Sequence, residues 1–180
     1  IEPEGWILGL SANTEAKLSA PKSAQNNLSN ELSKLQIGAA GVLLVQYRLL
    51  SLGIESAPMT TDTGIDLVAY STKSHKAVTV QVKACLQSKP AGGKGRPLLN
   101  WKMRASSPAE LVALVDLSTD NVWLLEHSDF EKRCQQHHAK TDMLQLYFYT
   151  EPDYKAKLGS HENDFTKDRI EHKAPLLLGQ

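Results

Sequence analysis

Two runs of strand-forming residues, Ile65–Tyr70 and Ala77–Leu86, flank a short polar stretch, Ser71–Lys76. Such a pattern is predicted to fold as an antiparallel hairpin. In the second run Val78, Val80, Val82 and Ala84 share one face, and Thr79, Gln81 and Lys83 share the other. In the first run Ile65, Leu67 and Ala69 alternate with Asp66, Val68 and Tyr70. A turn centred between residues 73 and 75 sets Asp66 beside Gln81 or Lys83, at a cross-strand distance of roughly 5 Å. One acid, one amide oxygen and one ammonium then converge at the open end of the hairpin.

The rest of the chain is read around that hairpin. Residues 1–23 show no sustained period and are expected to form an arm, with Ser23 as a cap. From Ala24 to Leu52 the residues Leu28, Leu32, Leu35, Ala39, Val42, Leu43, Gln46 and Leu50 recur at helical steps, and Gly53 is the expected stop. Gly38 and Gly41 interrupt this run, each costing about 1 kcal/mol against Ala unless something packs closely on them. Ile54–Met59 is a predicted strand before the hairpin. After it come a loop through Pro90, Gly92, Gly93, Gly95 and Pro97, expected to be mobile, and strands at Leu98–Met103, Leu111–Leu117 and Val122–Leu125. Ser128–Ala139 is predicted as a helix, with Ser128 and Glu131 as a capping box, and Met143–Tyr149 as a last strand. The expected class is α/β or α+β with a mixed central sheet flanked by helices. The domain is expected to span 24–150, with 151–180 as a charged extension.

Charge is informative through its distribution. The chain of 180 residues balances 20 Lys and Arg against 20 Asp and Glu, which excludes a polybasic protein that binds nucleic acid by bulk charge. Yet residues 67–109 hold eight basic residues (Lys73, Lys76, Lys83, Lys89, Lys94, Arg96, Lys102 and Arg104) and no acid. Aromatic residues make up only 6% of the chain, which argues against a single-strand binder studded with stacking rings. Trp101 and Trp123 fall in strand patterns and are expected in the core. Two cysteines, Cys85 and Cys134, cannot build a disulfide framework. No apolar run reaches the length of a membrane helix. A reduced, cytoplasmic protein is the expectation, with neither membrane attachment nor an organic cofactor. The start at Ile1, without Met or a basic leader, suggests a processed or excised N-terminus.

His137 and His138, with Cys134 nearby, are expected on one short helix as solvated side chains; a metal cluster needs a second ligand pair. The Gly92–Gly95 stretch lacks the spacing of a phosphate loop and is a flexible segment that could carry Lys94 and Arg96 to a backbone phosphate. The hairpin residues are better suited to chemistry. Asp66, the Gln81 side-chain oxygen and the Val82 carbonyl are hard oxygen donors of the kind Mg²⁺ takes, and Lys83 can neutralise charge developing on a phosphorus.

At Asp66 and Gln81-Val82-Lys83 the sequence resembles the PD-(D/E)XK nuclease superfamily, whose signature is an acid on the second core strand and E/Q-x-K on the third. The run from Gly38-Ala39-Ala40-Gly41 to Leu52-Gly53-Ile54 is similar to the helix and turn that open that fold, giving an expected αβββαβ core over roughly residues 36–135. The resemblance is to small prokaryotic members such as restriction enzymes, junction resolvases and intron-encoded endonucleases. It implies a Mg²⁺-dependent DNA endonuclease, with Mn²⁺ as substitute ion. Asp66, Gln81 and Lys83 would be catalytic, and Asp66, Gln81 and the Val82 carbonyl would bind the metal. Lys89, Lys94, Arg96, Lys102 and Arg104 would contact phosphates, and a homodimer would match two sites to two strands. The sequence departs from the pattern at three places: Ile65 precedes the acid where Pro is usual, Gln81 is uncharged, and Val42 stands where relatives carry a helix Glu. Gln46, one turn on, is the candidate substitute, acting through a water; Glu31 lies about 16 Å along the helix. These departures leave two alternatives open, an inactive nuclease-fold module for DNA binding or assembly, and an excised toxin domain acting on RNA.

Overall fold

The structure, a computed structural model, describes residues 32–61, 63–154 and 160–179. The expected arm, the Ser23 cap, residues 24–31 of the expected helix, Glu31 and Asp62 lie outside them.

Among the described residues the first helix is α1 (Lys34–Ser51). Ser33 is its N-cap: Ser33 Oγ accepts from the Gln36 backbone N–H, while Gln36 Oε1 accepts from the Ser33 backbone N–H. Gly53, at φ 73°, turns the chain out of the helix as expected. The buried face differs from the predicted one. Gly41, Val45 and Leu49 point inward, while Leu35, Leu43 and Leu50 are exposed. A helix with apolar residues all round gives no unique stripe, and tertiary packing chooses the face.

The strands form two sheets. The first has the order β1 (Ile54–Pro58), β2 (Leu67–Ser71), β3 (Ala77–Cys85), β6 (Leu111–Asp116), β7 (Asn121–Glu126). The predicted hairpin is present, with Leu67 opposite Val80 and Tyr70 opposite Ala77. Only β3 and β6 are parallel within this sheet, so it is mixed, as expected. The strand parallel to β3 is reached without a helix. The chain passes instead through β4 (Lys89–Pro90), a 3-10 turn (Ala91–Gly93) and β5 (Pro97–Arg104), so part of the expected loop is short regular structure. From Leu98 to Arg104 β5 pairs with β9 (Met143–Tyr149) in the second sheet, where β4 adds to β5, and β8 (Gln136–His138) and β10 (Ser160–His161) add to β9.

The predicted helix Ser128–Ala139 is shorter and differently capped. Helix α2 spans His127–Arg133, Glu126 occupies the cap position without a side-chain bond, and Cys134 is already extended. Residues 136–138 pair with β9 instead, because a ladder of long-range hydrogen bonds outweighs a local helix preference. His137 and His138 are therefore exposed strand residues, not helical ones.

Three layers result: α1 and the C-terminal helix on one face of the first sheet and the second sheet on the other, with Phe130 of α2 in the core between the sheets. Val45 and Leu49 of α1 meet Val78, Val80, Leu111, Ala113 and Val115 in one core. Trp101, Met103, Val112, Leu114, Trp123 and Phe148 form the other, with rings 5.0–5.9 Å apart in tilted or edge contacts. Both tryptophans are core residues, as expected. β6 is buried at every position because both its faces are covered. The C-terminal stretch contributes to both cores: Phe165 enters the aromatic one, and Ile170, Ala174 and Leu178 of α3 (Ile170–Leu178) enter the aliphatic one. Ser74 Oγ donates to the Leu178 carbonyl, so the hairpin turn is bonded to the end of α3. Among the described residues, no helix is long and apolar enough to cross a membrane.

Candidate functional site

Asp66 stands one residue before β2. Its N–H donates to the Val80 carbonyl at 2.9 Å, and its own carbonyl accepts from Met59 N–H at 2.9 Å. The preceding loop is held by Gly64, whose φ of +84° suits glycine and where a Cβ would meet Pro108 Cδ at 3.2 Å. Ser107 Oγ donates to the Gly64 carbonyl at 3.3 Å. These contacts aim the Asp66 side chain at the end of the hairpin. Gly64, two residues before the acid, carries a local signal in the sequence, and Ser107, more than forty residues on, carries none.

β2 ends at Leu67, opposite Val80, so β3 runs on beyond its partner and Asp66 stands opposite Gln81. The Val82 N–H, which a longer β2 would have bonded, donates instead to Asp66 Oδ2 at 2.6 Å. Asp66 thereby caps a strand amide that β2 leaves unpaired and has its rotamer fixed by a short charge-assisted bond. The Val82 carbonyl points to the same side of the strand as its N–H, toward the gap left by β2. Oδ1 of Asp66 accepts no hydrogen bond from the described residues.

Gln81 and Lys83 share the face of β3 that looks toward the second sheet, since their partners in register, Val112 and Leu114, belong to the aromatic core. Gln81 is only 7% exposed, and its Oε1 is buried without a hydrogen-bond donor. An orphaned buried amide oxygen costs roughly 1–3 kcal/mol, so its presence calls for a partner. Lys83 is half-buried and enters no ion pair with the described residues. Two positions on, Cys85 Sγ donates to the Asn100 carbonyl at 3.2 Å, joining the end of β3 to β5. Burial, with the charge of Asp116 adding to it, pushes the Cys85 thiol above its ordinary pKa, so it is protonated at neutral pH.

The opening helix lies on the opposite face of the sheet. A Cβ on Gly41 would stand 2.6 Å from Ala84 Cβ and 3.5 Å from Val82 Cγ1, so α1 packs directly on β3 there. Val42 packs against the aliphatic core, and Gln46 Nε2 donates to the Ser56 carbonyl on β1 at 3.4 Å. Among the described residues, no three His, Cys, Asp or Glu side chains gather as a metal site. Asp66, bonded to the Val82 amide, and Gln81, next to Val82 on β3, bring to this stretch one carboxylate, one amide oxygen and one peptide carbonyl. A hard divalent cation accepts such a set when waters and substrate phosphate complete its shell.

The basic residues divide into groups. Lys89 lies on β4, and Lys102 and Arg104 on β5, all exposed. Lys94 is exposed just after the 3-10 turn. Arg96 is already paired, its Nη1 2.6 Å from Glu151 Oε2 and its guanidinium 5.4 Å from the Tyr154 ring centre.

No family model matches the chain, and no curated protein does. Among solved structures, it is similar to a bacterial homing endonuclease, I-Ssp6803I, with a TM-score of 0.56 at 15% sequence identity, over 82% of this chain and 92% of that one. At that identity the likeness is one of architecture: the chain has a nuclease-type α/β fold.

Proposed function

We propose that the chain is a metal-dependent endonuclease of the PD-(D/E)XK type that hydrolyses phosphodiester bonds in DNA. One observation carries this reading. The Asp66 carboxylate is pinned by the Val82 amide opposite a buried Gln81 oxygen that lacks a donor, on the strand face that also carries Lys83. The fold shared with a homing endonuclease supports it. Asp66 Oδ1, Gln81 Oε1 and the Val82 carbonyl would hold Mg²⁺ or Mn²⁺. When bound, such an ion supplies charge stabilisation at the phosphate and a water of lowered pKa. Asp66 is held to one rotamer by its bond to Val82, Gln81 would offer a neutral oxygen, and Lys83 would offer an ammonium donor to negative charge growing on the phosphoryl oxygens. Exposed Lys89, Lys94, Lys102 and Arg104, with Arg96 once it leaves Glu151, would contact backbone phosphates. Double-strand cutting would be served by a homodimer.

The test is incubation of plasmid and branched DNA with the full chain in Mg²⁺, Mn²⁺ or EDTA, with an RNA digestion in parallel. Cleavage is expected with either metal and not in EDTA, and it should vanish in Asp66→Ala and Lys83→Ala. Equal cleavage by those variants would sink the assignment. A second reading, a DNA-binding module without catalysis, is favoured by the single carboxylate and by Val42 in the aliphatic core. Calorimetry separates the two: DNA affinity with no heat from millimolar divalent metal supports the module.

A further inference from the structure

The outward side of the second sheet carries tyrosines that the proposed hydrolysis does not use, next to cations already given to backbone phosphates. Leu144, Leu146 and Phe148 of β9 are buried in the aromatic core, so Tyr147 and Tyr149 face the other way. On β5, Leu99, Trp101 and Met103 point inward, so Lys102 and Arg104 point outward with the tyrosines. Register fixes the layout. Tyr149 lies opposite Leu98, which also pairs with Lys89; Tyr147 lies opposite Asn100; Lys102 lies opposite Gln145 and Arg104 opposite Met143. From the Lys89 row to the Arg104 row is six residues, or about 20 Å. Tyr154 extends the ring series, its centroid 4.7 Å from Tyr149, which is itself 6.2 Å from Tyr147; both contacts are near-perpendicular. Three of the chain's five tyrosines thus meet on one face. The outward positions of β5 and β9 carry two cations and no acid. Glu151, beyond the end of β9, is neutralised by Arg96.

We propose that this face is a platform for single-stranded nucleic acid, with bases stacking on Tyr147, Tyr149 and Tyr154 and phosphates meeting Lys89, Lys102 and Arg104. The pattern of rings and cations selects the strand state. A duplex offers a flat sheet only its phosphates, since its bases are stacked internally, whereas an unpaired strand presents base faces to rings and phosphates to cations together. Low aromatic content overall does not oppose this, because the rings are concentrated on two elements. The proposal deepens the nuclease reading by naming the polymer state engaged, on the side of the second sheet turned away from Gln81 and Lys83, with β5 joined to β3 by the bond from Cys85 to the Asn100 carbonyl. It does not depend on catalysis.

The experiment is fluorescence anisotropy of a labelled 15-nucleotide dT strand, and of the same strand paired with dA, titrated with the full chain in EDTA at several salt concentrations. The single strand is expected to bind more tightly. Tyr147→Leu and Tyr149→Leu keep apolar bulk and remove the stacking ring, and each should weaken single-strand binding by about 5- to 150-fold. Their salt slope should not change. Lys102→Gln with Arg104→Gln should reduce the slope by about 1.4, at about 0.7 per phosphate on a single strand. Both cations are exposed, so this variant folds even if a tyrosine variant does not, and thermal unfolding of every variant checks that point. Tighter binding of the duplex, or an unaltered slope in the double cation variant, would overturn the proposal. So would a chain that is dimeric by light scattering and becomes monomeric in Tyr149→Leu with its strand affinity intact, since the face would then join two copies. Failure of metal-dependent cleavage with platform binding preserved would count against the nuclease reading alone.

Discussion

Gly38 and Gly41 look alike in the sequence, three residues apart in one helix, but the structure gives them opposite roles. A Cβ added at Gly38 meets nothing within 4 Å. Gly38→Ala should therefore gain the helix-propensity difference, about 1 kcal/mol. A Cβ added at Gly41 lies 2.6 Å from Ala84 Cβ, a distance at which backbone or helix must move. Ala84 has no rotamer with which to yield, so α1 must lift from β3. Overpacking of that kind costs about 1–3 kcal/mol. Against the same propensity gain, Gly41→Ala should lose up to about 2 kcal/mol, separating the two variants by about 1–3 kcal/mol. For a chain of this size 1 kcal/mol moves Tm by about 2–4 °C, so Gly38→Ala should melt a few degrees above the parent and Gly41→Ala at or below it. Urea unfolding followed by tryptophan fluorescence reads the difference, because Trp101 and Trp123 are both buried. A Gly41→Ala protein as stable as Gly38→Ala would refute the close approach of α1 to β3, and with it the placement of the helix beside Val82.

Other outcomes follow from single contacts. Phe148→Ala removes a ring that touches Trp101, Trp123 and Phe165, and should destabilise by about 3–5 kcal/mol in the same unfolding assay. Ser106 donates through both backbone and hydroxyl to Asp142 Oδ2, and these bonds, with Arg104 and His137 nearby, hold the Asp142 carboxyl below its ordinary pKa. A depressed folded pKa contributes stability above the unfolded value that is lost as pH falls through the folded one. The parent should accordingly be more stable than Ser106→Ala at pH 6, and the gap should narrow below about pH 4. Cys85, protonated by burial, should react with an aromatic disulfide reagent more slowly than a free thiol at pH 8, with labelling of a Cys134→Ser background as the measurement.

The hairpin was legible because two independent periodicities agreed, alternation in Ala77–Leu86 and a polar turn of fitting length, so register followed to within one pair, Gln81 or Lys83 beside Asp66, and the structure takes Gln81. The cap at Val82 was not legible. It depends on β2 stopping at Leu67 while β3 continues, and strand ends are set by partners rather than by composition. The second sheet escaped for a related reason. Leu98–Met103 and Met143–Tyr149 were each recognisable as strands, yet nothing local says that Lys102 faces Gln145 some forty residues away. Helix α1 failed in a third way. Leu35, Leu43 and Leu50 fit a helical period as well as Val45 and Leu49 do, and only Ala84, small enough to admit Gly41, decides which side packs. The end of α2 shows long-range pairing overruling a good capping box, because Gln136–His138 is worth more to the fold as an edge for β9.

A glutamine at position 81 also has a thermodynamic reading that bears on the proposed site. The side chain is 7% exposed, between Val112 and the aromatic core on one side and the Asp66 carboxylate on the other. A glutamate there would bury a second negative charge next to the first. Without a cation it would be neutralised, or would carry a desolvation cost well above that of an amide. The amide leaves one orphaned acceptor, a loss of roughly 1–3 kcal/mol that a small domain tolerates. With Val42 rather than an acid on α1, the set carries a single formal negative charge and does not repel itself when no ion is bound. The same economy reduces the attraction for a divalent ion, so the proposed enzyme should draw much of its metal affinity from the substrate's own phosphate. Metal binding and DNA binding should then be coupled: titration of Mg²⁺ into the free chain should give a much weaker response than titration into the DNA complex of Lys83→Ala. Equal affinities in the two titrations would mean that Asp66, Gln81 and Val82 do not share an ion with the phosphate.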